Sequence, residues 1–149
     1  MFDFRKNKKY ILSVAVILLS LFSVLFFRQE KNKDGAVNFS IGGEIFKVEV
    51  VSERHDLEKG LGGRDGLCLS CGMLFKFSNP GKHAFWMKDM KFPIDIIWIF
   101  ENKIVHLEKN VSPSLIGTLV SLQDADSVLE INAGMSDKLK LEIGDEASF

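Results

Sequence analysis

An acidic residue inside an apolar run is the first place to look for chemistry. In HAFWMKDMKFPIDIIWIF, residues 83–100, Asp95 stands between Ile94 and Ile96. If this run is a strand, Asp95 shares a face with Ile97 and Ile99. The other face carries Ile94, Ile96, Trp98 and Phe100. Both faces are apolar, so the carboxylate is expected to be buried, and a buried carboxylate without a partner is costly enough to force protonation or pairing. Two readings stay open. Asp95 is an architectural acceptor that ties down the KDMKFP loop through backbone amides or a cation, with Arg64, Lys88 and Lys91 as candidates. Alternatively, it is a ligand-binding or catalytic carboxylate.

Glu130, in SVLEINAG, is the second carboxylate of interest. On a strand it faces away from Leu129 and Ile131. It is then either an exposed strand residue or a partner for Asp95. Paired carboxylates can perform general acid–base work only when they converge within a few ångströms. Trp86 and Trp98 lie near Phe85 and Phe92 and are either core or the rim of an apolar or sugar-binding cleft.

Cys68 and Cys71 form CLSC. Export would favour a local disulfide, although so short a loop gains little from closure. Free thiols, a redox pair or a metal site are the alternatives. The helix N-terminus that would lower a thiol pKa is missing from the pattern. His55, His83 and His106 are scattered without ligand spacing, so no metal and no cofactor are expected. The glycines of KGLGGRDG do not join a strand to a long helix and do not read as a phosphate loop.

The bulk numbers narrow the setting. The chain has 149 residues, a formal charge of −1 and 46% hydrophobic residues. Tyr10 to Phe27, YILSVAVILLSLFSVLFF, is a run of eighteen residues without charge. As a helix it would be roughly 27 Å long, close to the bilayer hydrocarbon thickness. Arg5, Lys6, Lys8 and Lys9 precede it and favour a cytoplasmic N-terminus. An uncleaved anchor is the preferred reading; a cleaved signal peptide and a buried soluble helix are the rivals. LFFRQEKN offers no small-residue cleavage site. Beyond residue 27, fifteen Lys/Arg stand against nineteen Asp/Glu, a net −4. The charges are interspersed, which excludes a nucleic-acid footprint. The expected layout is a basic flank and transmembrane anchor over 1–27, a polar linker over 28–36 and a folded domain over 37–149. That places the protein at the cell membrane as a single-pass chain, its C-terminal domain outside the cytoplasm.

The domain must position these residues with many short strands. Gly42-Gly43 marks a hairpin, and Phe46, Val48 and Val50 share a face of its second arm. Ser52–Leu61 reads as a short helix with Ser52 as N-cap. IDIIWIF, ENK and IVHLEKNV form the strongest hairpin. VLEINAG is a strand stopped at Gly134, MSDKLKL has weak helical spacing, and GDEASF ends as a turn and strand. The fold class is α+β and β-rich: a small antiparallel barrel-like domain with one or two short helices. Parallel βαβ wrapping is not expected, because only one helix between strands is credible.

The blocks EKGLGGRDGL, CGMLFKF, HAFWMKDMKFPIDIIWIF, NKIVHLEKNVSPS, VLEINAG and IGDEASF, in this order, resemble the bacterial and archaeal family known as domain of unknown function 192. The resemblance spans roughly Phe46 to Phe149. It implies a compact β-rich barrel, often exported or membrane-tethered, without an established activity. Arg64, Gly72, Met73, Phe75, Trp86, Met87, Lys88, Pro93, Asp95, Glu130 and Gly134 match its motif positions. GLGGR departs from the usual pattern, and the Cys68–Cys71 pair is inserted before GMLF. Three functions follow as expectations. One is a binding module for a small molecule or an envelope protein, with a cleft of Trp86, Met87, Lys88 and Asp95, and with Arg64 and Glu130 as further candidates. The second is a structural or accessory partner of an envelope complex. The third is a hydrolase-like enzyme using Asp95 and Glu130.

Overall fold

The computed structural model describes residues 35–149. The expected anchor at 10–27, its basic flank and most of the 28–36 linker lie outside the described residues. Among the described residues, no helix is long and apolar enough to cross a membrane.

Among the described residues there are nine strands: β1 (Ala36–Ile41), β2 (Glu44–Val51), β3 (Cys71–Gly81), β4 (Ala84–Trp86), β5 (Ile94–Phe100), β6 (Lys103–Val111), β7 (Thr118–Val120), β8 (Ala125–Asn132) and β9 (Ala147–Ser148). Two short helices, α1 (Arg54–Lys59) and α2 (Met135–Lys138), interrupt them. Seven strands form one curled sheet in the order β6-β5-β8-β3-β2-β1-β9, and β4 and β7 pair separately. The curl is a half-barrel. The C-terminal segment laces its edges together: Ala147 pairs with Ile41 of β1, while the Ile104 amide of β6 donates to Asp145 O at 2.9 Å and the Ala147 amide to Asn102 O at 2.8 Å.

Local sequence explains the tight turns. Gly42 and Gly43 have φ of 58° and 78° between the paired Ile41 and Glu44. Two positive φ values give the turn whose twist matches a hairpin. A Cβ on Gly42 would also lie 2.6 Å from Leu141 Cδ2. The expected β5–β6 hairpin is present, with Glu101 and Asn102 at φ of 48° and 61° between the paired Phe100 and Lys103.

Two expectations need correction. The sheet is not wholly antiparallel, since β2 and β3 run parallel, with Val48 beside Gly72 and Val51 beside Phe75. A single crossover through α1 and the 60–70 loop makes this βαβ unit; six helical residues plus an irregular loop suffice to return the chain. Helix α1 also starts later than predicted. Glu53 occupies the N-cap position without a side-chain cap bond.

Strand alternation divides the core in two. One face of the sheet carries Val48, Leu74, Ile97, Ile99, Leu129 and Ile131. The opposite face carries Met73, Phe75, Ile94, Ile96, Trp98 and Val128, covered by Leu61, Phe85 and Met87. β5 is therefore buried on both sides, from Ile94 to Ile99. Truncating one of these aliphatic side chains to Ala would cost about 2–5 kcal/mol.

Candidate functional site

Asp95 points into the first face and is fully buried. Its Oδ1 accepts from the Asn110 amide at 2.8 Å and the Gly134 amide at 3.1 Å. Its Oδ2 accepts from the Ser136 amide at 2.8 Å. Three backbone donors thus surround it, and one belongs to the first turn of α2, where a negative charge also suits the helix end. None of the three cations anticipated as partners bonds to it. Arg64 grips Glu49 through two bonds of 2.5 and 2.8 Å, and Lys91 Nζ donates to Asp65 at 2.7 Å. Lys88 lies beside a cavity instead.

Glu130 points the other way. In the β5–β8 ladder Asp95 pairs with Ile131 and Ile96 with Glu130, so the two carboxylates occupy opposite faces. The acid–base pair anticipated for a hydrolase does not form. Glu130 is not an exposed strand residue either; it retains 4% of its accessible surface. Across β2, β3, β8 and β5 the register sets Glu49, Met73, Glu130 and Ile96 in one row. Among the described residues, Glu130 Oε2 has no hydrogen-bond partner. Burial pushes its carboxyl pKa from 4.5 up to about 8, a rise only partly opposed by Arg64.

Above Glu130 lies a cavity of about 250 Å³. α1 and the turn after it supply Leu57, Lys59 and Leu61, β3 supplies Phe75 and Phe77, and β4 with its continuation supplies Phe85, Trp86, Lys88 and Met90. The aromatic side chains brace one another edge to face. Phe85 lies 4.9 Å from Phe75 and 5.7 Å from Trp98. Trp98 Nε1 donates to His83 O at 3.0 Å, which fastens the lead-in of β4 to β5. His83 itself stacks on Phe77 at 3.4 Å. Gly60, with φ of 49°, closes α1 against Phe75: an added Cβ would lie 3.3 Å from its ring. Lys59, Lys88 and Met90 continue from the mouth into a shallower groove over Gly62 and Gly63.

The structure therefore brings Trp86, Lys88 and Glu130 together and leaves Asp95 outside. Trp86 is rim, 45% exposed, whereas Trp98 is sealed in the core. Met87 is buried in the second core cluster. Arg64 acts on Glu130 at a distance while bound to Glu49. Sequence reasoning did not single out Lys59, Phe77 or His83. Phe77 shares the alternation of Met73 and Phe75, which was the available signal. Cys68 and Cys71 are joined as a disulfide, and Asn132 Nδ2 donates to Cys68 O at 2.8 Å; neither cysteine lines the cavity. Among the described residues, no three His, Cys, Asp or Glu side chains gather to hold a metal ion.

Comparison with known proteins agrees with this architecture. The model of the DUF192 family, described as an uncharacterised ACR, matches residues 37–149, and the chain belongs to that family. No curated protein matches the chain. Among solved structures, a protein of unknown function from Novosphingobium aromaticivorans is 25% identical with a TM-score of 0.75, covering 80% of this chain and 90% of that one. A proposed transcription regulator from Sinorhizobium meliloti is 24% identical with a TM-score of 0.71, covering 78% of this chain and 97% of its own; that likeness speaks to the fold alone.

Proposed function

We propose that this domain is a small-ligand-binding module whose receptor site is the cavity above Glu130, tethered to the outer side of a cell membrane by the apolar segment at residues 10–27. The observation that carries the binding function is Glu130 Oε2, a buried polar atom without a hydrogen-bond partner among the described residues, on a side chain that lines the cavity beside Phe75, Phe85 and Trp86. Leaving such an atom unmet costs about 1–3 kcal/mol. A ligand that hydrogen-bonds to it recovers that cost on binding. A concavity with an aromatic interior and a few polar groups, here Glu130 inside and Lys59 and Lys88 at the mouth, is also the usual form of a small-molecule site. The uncharged eighteen-residue run with its basic leading flank supports the tether, and the Cys68–Cys71 disulfide suits an oxidising compartment.

Thermal-shift and amide-resonance screening of the full-length chain against sugars, peptides, cell-wall fragments and small aromatics tests the reading. Binders should perturb Leu57, Phe77 and Trp86, and Glu130→Ala should weaken them. A screen in which every binder acts elsewhere would remove the cavity as the receptor site.

A second reading, an envelope-protein partner, is favoured by the loop around β7. Ile116 and Leu122 there are 96% and 86% exposed, with Val120 between them at 43%. Site-specific photocrosslinking from Ile116 in cells would recover such a partner, and silence at that position would count against it.

A further inference from the structure

Which ligand the cavity takes depends on the charges around it. Arg54 Nε and Glu58 Oε1 form an ion pair at 3.0 Å and cancel. Lys59 and Lys88 are exposed at the mouth, and among the described residues their ammonium groups have no hydrogen-bond or ion-pair partner. Both lysines also line the groove into which the mouth opens. Two lysine ammonium groups thus face one opening, with the Asp89 carboxylate further out in the groove, in a domain whose overall balance beyond residue 27 is −4. A local field of opposite sign to the whole draws in ligands of the matching charge. Inside, Phe75, Phe85 and Trp86 offer contact area, and Glu130, 96% withdrawn from solvent, offers a hydrogen bond.

We propose that the ligand is a compact anionic amphiphile: a ring-sized apolar body seated against Phe75, Phe85 and Trp86, an anionic group between Lys59 and Lys88, and a hydroxyl or carbonyl at its far end meeting Glu130. This rests on the cavity being the receptor site. The near-neutral state that burial imposes on Glu130 supports it, because a protonated carboxyl donates to that oxygen and does not repel the anion. A cationic ligand would instead have to pass both lysines.

Three probes with the same body and distal hydroxyl separate the charge states: 4-hydroxyphenylacetate, 4-hydroxyphenylacetamide and tyramine. Phenylacetate omits the hydroxyl. Each is titrated by calorimetry into the full-length chain at pH 7 and low ionic strength, where screening is weakest. The expected order is 4-hydroxyphenylacetate tightest, at least tenfold above tyramine, with the amide between and phenylacetate several-fold weaker. Lys59→Ser with Lys88→Ser should erase the preference for the anion, bringing 4-hydroxyphenylacetate down to the affinity of the amide. Amide or amine binding as tightly as the anion would overturn the ligand class while the cavity reading stands. Silence of all four probes would overturn it too. Benzyl alcohol and indole, run in parallel, then show whether the cavity binds anything at all.

Discussion

Asp95 and Glu130 sit one register step apart on adjacent strands and face opposite sides of the sheet, because Asp95 pairs with Ile131 and Glu130 with Ile96. The same chemical group therefore has two different environments one register step apart in the sheet. Asp95 is met by three amides, and Glu130 Oε2 by none among the described residues. A carboxylate with three donors is a fastener; one that burial drives towards its neutral form is a recognition group or a site of strain.

The fastener can be tested directly. Asp95→Asn keeps the volume but removes the charge and turns one acceptor into a donor facing backbone N–H groups. Hydrogen bonds to charged groups contribute about 1.5–3 kcal/mol each, so a loss of roughly 2–4 kcal/mol is expected. Chemical denaturation measures it, and hydrogen exchange should show the Ser136 and Gly134 amides losing protection first. A variant as stable as the parent would remove the architectural role.

Glu130 predicts a pH dependence of definite sign. Its pKa is about 8 in the folded chain against 4.5 without burial. The folded state holds the proton more tightly, so the favourable contribution is fully present below about pH 4.5. It is lost as pH rises towards about 8, at close to 1.4 kcal/mol per unit. Glu130→Gln carries no such proton. The difference in unfolding free energy between Glu130→Gln and the parent should therefore grow with pH over that window, to about 3–5 kcal/mol in favour of the variant. A difference that stays flat from pH 5 to pH 8 would show that Glu130 titrates normally.

The contrast between these two residues also shows what the sequence reveals. The faces of Asp95 and Glu130 were legible, because strand periodicity of two fixes them once IDIIWIF and VLEIN are strands. The β5–β6 hairpin was legible for the same reason. What surrounds each carboxylate was not. The donors to Asp95 come from 15, 39 and 41 residues away, and no local pattern encodes those approaches. Glu130 looked exposed because alternation says only that it opposes Leu129 and Ile131. It is buried because α1 and the β4–β7 pair cover the second face of the sheet. The parallel β2–β3 pair was missed because its crossover helix has only six residues. Arg64 was one of three candidate cations for Asp95 and holds Glu49 instead, a pairing of residues fifteen apart that no spacing rule predicts.

The β5–β6 turn holds a correctable strain. Glu101 has φ of 48° without being glycine or asparagine, a conformation that costs ordinary residues about 1–2 kcal/mol. It is held there by its amide donating to Asp126 Oδ2 at 2.8 Å. Replacing Glu101-Asn102 by Asn-Gly, the sequence best suited to such a turn, should stabilise the domain by about 1 kcal/mol with the Asp126 bond retained. Thermal unfolding checks it; a lower Tm would mean that the Glu101 side chain makes a contribution outweighing its backbone strain.

The disulfide gives a test that bears on cellular location as well as stability. Closing the four-residue loop from Cys68 to Cys71 should contribute at most about 2 kcal/mol by chain entropy. Reduction should therefore lower the denaturation midpoint modestly and leave the cavity intact, since neither cysteine lines it. In intact cells the pair should resist a thiol reagent until a reductant is added, because an external compartment keeps such bonds closed. Protease added to the same cells, with the outer barrier opened, should digest the domain over residues 37–149 and spare the segment before residue 28. If both cysteines alkylate without reductant and the domain survives protease, it faces the cytoplasm. The ligand would then have to be a cytoplasmic one, reaching Lys59 and Lys88 from that side.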